Sequence, residues 1–406
     1  MSTDHEHPTP SSGTGNGPQP VGVTGPRGFR ASGVAAGIKE GGGPDLALVV
    51  NDGPRREATG LFTTNKVKAA PVLWSEQVLR ERRLHAVVLN SGGANACTGP
   101  EGFQDTHSTA ERVAGELGTG AIEVAVCSTG LIGQRLPMEA LLSGVTTAVG
   151  ELSDSGRAAE DAATAILTTD SGPKQAFVRH PSGFSVGAMV KGAGMIAPNL
   201  ATMLAVLTTD AVAEPDVLDQ ALRRAAATTF ERLDVDGGTS TNDTVLLLSS
   251  GASGVAVDTD ELTGILTETC AELVRHLQYD AEGATKAVDV TVRGAVRETD
   301  AVRIARVVAE DNLVGTALFG SDPNWGRIAM AVGRALADTD AEAMEIALNG
   351  VTLYSAGVPV AEREVVDLSG REVEIVIDLR SGPHEATVYT TDLSHGYVEE
   401  NSAYSS

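Results

Sequence analysis

Short apolar runs alternate along this chain with longer alanine-rich segments, and that alternation is the tightest constraint on what it can fold into. DLALVV (Asp45 to Val50), HAVVLN (His85 to Asn90) and IEVAVCS (Ile122 to Ser128) are bounded by Gly, Asn or Ser and read as buried strands. Pro137 to Leu152 shows helical spacing with its proline at the first helical position, and RAAEDAATAIL follows as a second helix. The second half repeats the scheme. MLAVLTTDA and TVLLLSSGA read as strands, Glu214 to Leu233 as an alanine-rich helix with acids in its first turn, and the segment from Thr259 as a long helix capped by Thr259 or Asp260. VDVTVRG and VEIVIDL alternate apolar with polar residues, as half-buried strands do, and antiparallel pairing is expected where that alternation is clean.

The expected fold class is therefore α/β (α+β): two α/β halves of similar size, with sheets covered by helices. No Pro/Gly/Ser linker separates the halves. The division falls at the Ala201–Thr202 step, inside what reads as ordered structure. With 406 residues the chain can bury a large core over two or three domains, and with aromatics at 3% that core is built from Ala, Val, Leu and Ile.

A formal net charge of −24 argues against nucleic acid as a partner, which needs clustered Lys and Arg, and reads most simply as solubility. Cys97, Cys127 and Cys270 are odd in number and widely spaced, which speaks against a disulfide framework or a zinc site and suits a reducing, cytoplasmic setting. Cys127 follows an apolar run and reads as a small buried hydrophobe. The longest apolar stretch is broken by Pro198 and Asn199, so no membrane span is expected. Residues 1–20 lack the apolar core of a secretory signal and read as a disordered tail. Adventitious metal binding by Asp4, His5, Glu6 and His7 is the weaker reading of that tail.

Several familiar chemistries are excluded by pattern. The chain has no GxxxxGK[ST], HExxH or GxSxG, and KGAGM does not follow a strand as a dinucleotide fingerprint. His395 reads as a structural hydrogen-bonding residue. What stands out is a set of polar, glycine-containing segments at the ends of apolar runs: NSGGANACTG, CSTGLIG, TTDSGPK, DGGTSTNDT, FGSDPNWGR and the terminal ENSAYSS. Each alone reads as a turn. Together they supply hydroxyls, amides and bare N–H groups but few titratable bases, an inventory that suits acyl transfer by a nucleophile carrying its own base. In KGAGMIAPNLATMLAVLTTDA, Thr202 is either strand filler or, if the chain breaks before it, a hydroxyl beside a free α-amine. Thr129 and Gly130 in CSTGLIG can aim one hydroxyl and one N–H at the same point, as an oxyanion hole does.

These motifs, in this order and covering about Val21 to Ser406, resemble the ArgJ-type ornithine acetyltransferases (glutamate N-acetyltransferases). The resemblance implies an N-terminal-nucleophile-like, self-cleaving fold of the ArgJ/DmpA type. It implies autocatalytic cleavage between Ala201 and Thr202 into an α chain (21–201, after the tail) and a β chain (202–406), assembled as an α2β2 heterotetramer. It implies Thr202 as nucleophile, Thr129 and Gly130 as oxyanion hole, and Thr168, Lys191, Thr202, Glu282, Asn401 and Ser406 as substrate-binding residues. The implied reaction moves acetyl from N2-acetylornithine to glutamate, releasing ornithine and N-acetylglutamate, in cyclic arginine biosynthesis. No cofactor or metal is implied, and acetyl-CoA stays open as a co-substrate. The rival readings are a paralogue with the same chemistry in specialised metabolism, an N-terminal-nucleophile aminopeptidase or hydrolase, and a non-catalytic binding protein.

Overall fold

The computed structural model describes residues 22–196, 203–335 and 343–403; Ala201, Thr202, Ser406 and the expected tail lie outside them. The mixed α/β architecture expected from the alternation is present, arranged on three sheets. The first sheet runs Phe29–Val34, Leu46–Asn51, Ala86–Ser91, Val124–Thr129, with only its last pair parallel. The central sheet runs Glu57–Phe62, Thr244–Ser249, Leu204–Thr209, Ser185–Lys191, Lys174–Arg179. Three of its strands precede residue 201 and two follow residue 202, so the two expected chains share one sheet.

Successive side chains of a strand point to opposite faces, and the central sheet uses this to feed two cores. Leu204, Val206, Leu246 and Leu248 pack with the first sheet and with Leu141, Val145, Ala159 and Ala162 of the helices Met138–Gly150 and Gly156–Ala165. Their chain neighbours Ala205, Leu207, Val245 and Leu247 pack against the helices Pro215–Thr228 and Thr259–Tyr279. Burial on both faces explains why these strands read as unbroken apolar runs.

The third sheet has six strands and its own core. Here the pairing differs from expectation. The two cleanly alternating strands, Ala287–Ala295 and Glu372–Asp378, lie side by side in parallel register, while each has an antiparallel partner on its other side. The alternation reports one-sided burial and carries no information about strand direction.

Two local details also depart from the sequence reading, and a third adds to it. Asp258, rather than Thr259 or Asp260, caps the long helix: its carboxylate accepts from the Asp260 and Glu261 amides, and Glu261 returns a bond to the Asp258 amide. Pro137 sits at the cap position, one residue before the first helical turn. His395 opens the helix His395–Ala403 and packs edge-on against Phe319, with ring centroids 5.2 Å apart.

Cys127 and Cys270 are buried, and burial pushes each thiol up to about 12, whereas Cys97 is exposed. Alkylation of the native protein with iodoacetamide at neutral pH should therefore modify one cysteine, mapped to Cys97 by peptide mass spectrometry. Rapid labelling of either other thiol would contradict this packing.

Candidate active site

The strand Val124–Thr129 ends on the buried Thr129, and the chain turns at Gly130 with φ +127°. A side chain at Gly130 would place its first carbon 2.5 Å from the Gly93 nitrogen, so glycine is required twice over, by conformation and by space. The Gly93 amide donates to the Thr129 carbonyl at 3.0 Å, and the Ala94 amide donates to the Leu131 carbonyl at 2.9 Å. NSGGANACTG and CSTGLIG, separate turns in the sequence, are thus zipped together.

Lys191 ends the strand Ser185–Lys191 of the central sheet, and its side chain is 2% exposed. Its Nζ donates to Thr168 Oγ1 at 2.6 Å and reaches Thr129 Oγ1 at 3.4 Å. Behind it lies Asp170, fully buried, with Oδ2 3.7 Å from Lys191 Nζ and Oδ1 accepting from Lys174 Nζ at 2.6 Å and the Gly192 amide at 2.7 Å. Lys174 also pairs with Asp280 at 2.5 Å. Burial alone would raise the Asp170 carboxyl, but the two ammonium groups and the Gly192 amide reverse that and hold it well below the usual carboxylate range. For Lys191 burial prevails and the ammonium is lowered from its ordinary value, with Asp170 opposing the shift.

Glu282 faces the same region. Its Oε1 accepts from Thr169 Oγ1 at 2.7 Å and its Oε2 from Asn401 Nδ2 at 2.8 Å, while its amide donates to the Ala193 carbonyl. A carbon added at Gly194 would fall 2.1 Å from Glu282 Oε2, so the glycine after Ala193 is what lets this carboxylate approach the backbone. The helix His395–Ala403 carries Asn401 to this point, so the C-terminal region does fold against Glu282.

The loop between Asp234 and Thr244 holds both described flanks of segment 197–202. Asp236 accepts from the Met195 amide at 2.7 Å and the Ile196 amide at 2.8 Å on one side. Asp243 accepts from the Met203 amide at 3.2 Å on the other. Between them Asn242 donates to the Ala94 and Ser128 carbonyls at 2.6 and 2.8 Å, fastening the loop to the Thr129–Gly130 turn.

Of the expected site residues, Lys191 joins Thr129, which Gly130 follows, to Thr168, while Glu282 and Asn401 form a second bonded pair; Ala201, Thr202 and Ser406 fall outside the described residues. Sequence reasoning missed Asp170, Lys174, Asp236, Asn242 and Asp243. TTDSGPK and DGGTSTNDT were visible as polar turns, but nothing local distinguishes a surface turn acid from one buried between two lysines.

Residues 30–406 match the model of the ArgJ family. The chain belongs to that family. It is 60% identical over 390 residues, covering 95% of this chain and 96% of the relative, to the arginine biosynthesis bifunctional protein ArgJ of Mycolicibacterium paratuberculosis (strain ATCC BAA-968 / K-10). The protein of the same name from Streptomyces coelicolor is 56% identical over 384 residues, covering 95% of this chain and all of the relative. Among solved structures, the ornithine acetyltransferase of Mycobacterium tuberculosis complexed with ornithine shares 59% identity over 46% of this chain and 97% of that one, with a TM-score of 0.44. As an ArgJ family member the chain is an acyltransferase of arginine biosynthesis.

Within this ArgJ member, replacing Asp170 with Asn should strand the buried Lys191 ammonium and leave Lys174 with Asp280 alone. Breaking a buried pair costs about 3–5 kcal/mol, read as a lower midpoint in chemical unfolding at pH 7. Because the Asp170 carboxyl is depressed in the fold, its stabilisation is complete above its ordinary value of 3.8 and declines as pH falls below that. The gap between wild type and Asp170→Asn should narrow in acid, and a gap independent of pH would contradict the pairing.

Proposed function

We propose that the chain is a glutamate N-acetyltransferase that cuts itself between Ala201 and Thr202 and then carries acetyl on Thr202. In the cutting step the Thr202 hydroxyl attacks the Ala201 carbonyl carbon and the peptide C–N bond breaks. The resulting ester is hydrolysed by water, leaving a carboxylate on Ala201 and a free α-amine on Thr202. An α-amine titrates near 7.7–8.0, so it can act as the base for its own hydroxyl at neutral pH. In the first half-reaction Thr202 Oγ attacks the acetyl carbonyl of N2-acetylornithine, the amide bond breaks, and ornithine leaves with the proton. In the second half-reaction the glutamate amine attacks the acetyl ester and regenerates the hydroxyl.

The observation that carries this reading is the Lys191 ammonium shared between the Thr168 and Thr129 hydroxyls. It joins the strand that leads into Ala201–Thr202 with the turn proposed as oxyanion hole. In the tetrahedral intermediate the Thr129 hydroxyl and Gly130 N–H would receive the developing negative charge. Lys191 suits the α-carboxylate common to N2-acetylornithine and glutamate, and Glu282, with Asn401 beside it, suits the ornithine side-chain ammonium. Ser406 completes the proposed substrate-binding set. No cofactor is needed for either half-reaction. The two chains sharing the central sheet fit assembly as α2β2 in the cytoplasm, and among the described residues no helix is long and apolar enough to cross a membrane.

Denaturing mass spectrometry of the purified protein should give two chains divided at Ala201–Thr202, and incubation with N2-acetylornithine should add one acetyl group to the β chain. Thr202→Ala should remain a single inactive chain; maturation and acetyl transfer by that variant would overturn the reading. Thr129→Val should mature and keep its KM while losing about 10²–10³ in kcat, the usual effect of removing one oxyanion donor. Assays of the mature enzyme with glutamate and acetyl-CoA test whether that donor is also accepted.

A further inference from the structure

The two substrates of the proposed reaction differ in charge. N2-acetylornithine carries a single carboxylate and a side-chain ammonium, whereas glutamate carries a carboxylate at each end. Lys191 can answer the α-carboxylate that both share, and Glu282 can answer the ornithine ammonium but repels a second carboxylate. A site that takes both substrates in turn needs a further cation within reach of the glutamate side chain.

Lys39 is placed to be that cation. It lies half-buried in the loop between the strands Phe29–Val34 and Leu46–Asn51. Asp45, fully buried at the end of the loop, accepts from the Ala36, Gly37, Ile38 and Lys39 amides at 2.6, 3.1, 2.6 and 3.0 Å, so four successive donors fix the course of the backbone. The Asp45 carbonyl in turn accepts from the Ser91 amide at 2.9 Å, which sets the loop beside the NSGGANACTG turn. A carbon added at Gly92 would fall 3.1 Å from Lys39 Cγ, and a carbon added at Gly130 would fall 2.7 Å from the Gly92 carbonyl carbon. The Lys39 stem and the proposed oxyanion turn thus pack against the same glycine.

The buried cations of the site are already committed, Lys174 to Asp170 and Asp280, and Lys191 to Asp170 and the Thr168 hydroxyl. Among the described residues, Lys39 Nζ donates to the Pro44 carbonyl at 3.1 Å, a neutral partner that a substrate carboxylate can replace by rotation of the flexible lysine stem. Consistent with this placement, burial lowers the Lys39 ammonium from its ordinary value with Asp45 opposing, and the group also feels Lys191 and Asp170. We propose that Lys39 determines specificity for the acceptor: its ammonium receives the side-chain carboxylate of glutamate in the second half-reaction and meets no charged group of N2-acetylornithine in the first. The inference rests on acetyl transfer between these two substrates and adds the residue that tells them apart.

The test compares Lys39→Gln, which keeps most of the stem and removes the charge, with Lys39→Arg, which keeps the charge, in the full chain. In a ping-pong reaction kcat/KM for each substrate reports its own half-reaction alone. Lys39→Gln should lower kcat/KM for glutamate about tenfold, the lower range for a hydrogen bond to a charged group, and leave kcat/KM for N2-acetylornithine within about twofold of wild type. Lys39→Arg should lose less than about threefold for glutamate, because the charge is kept. Salt gives a second reading: in wild type, rising ionic strength should lower kcat/KM for glutamate more steeply than for N2-acetylornithine, and the difference should shrink in Lys39→Gln. Equal losses for both substrates in Lys39→Gln would mark a merely structural residue, and an unchanged kcat/KM for glutamate would mean that Lys39 does not receive it; either result overturns the inference. Wild-type protein that moves no acetyl from N2-acetylornithine to glutamate would instead defeat the proposed function, whatever the Lys39 variants do.

Discussion

Asn242 and Asp243 bridge parts of the chain more than a hundred residues apart, and the candidate site exists in one piece because of that bridge. Asn242 spends both amide hydrogens on the Ala94 and Ser128 carbonyls, while Asp243 accepts the Met203 amide. Without the pair, the first sheet with its Thr129–Gly130 turn and the central sheet with its strand from Leu204 would be joined near the site by the Lys191–Thr129 contact and by apolar packing. Apolar packing is non-directional and tolerates sliding. Hydrogen bonds between buried groups are not so tolerant, because every displaced donor or acceptor is left without water to replace its partner.

The second organising feature is the buried row of alternating charge formed by Lys191, Asp170, Lys174 and Asp280. A chain with net charge −24 would be expected to bury few of its cations, yet Lys174 and Lys191 are both nearly inaccessible. Asp170 lies between them, and Lys174 has Asp280 as a second partner. The row ends at Lys191, whose ammonium is directed to the Thr129 and Thr168 hydroxyls. Positive charge at the site is thus backed by the Asp170 carboxylate behind it.

Much of the fold was legible locally. Runs such as HAVVLN and TVLLLS announce strands buried on both faces, and the alanine-rich segments announce the helices that cover them. The pairing direction of Ala287–Ala295 and Glu372–Asp378 was not legible, because a long connection that includes helices and further strands of the same sheet brings the chain back to run parallel, while the alternation records only which face is wet. The cap of the long helix moved to Asp258 because a capping box needs an acid three residues on, and Glu261 satisfies that only from Asp258.

For the site, the sequence by itself determined the residue types: hydroxyls at Thr129 and Thr168, a glycine after Thr129, a lysine at the end of an apolar run, and a threonine following an alanine. Motif order was enough to find these, because each is marked by neighbours in the chain. Only the tertiary structure decided that Lys191 meets both hydroxyls, that Glu282 is bonded to Asn401 from the far end of the chain, and that Asp170, Asn242 and Asp243 hold the arrangement. Those partners lie tens to hundreds of residues apart, and what makes them matter is burial, which strengthens a paired charge or hydrogen bond and penalises an unpaired one. Burial is a property of the packed molecule, and no local pattern encodes it.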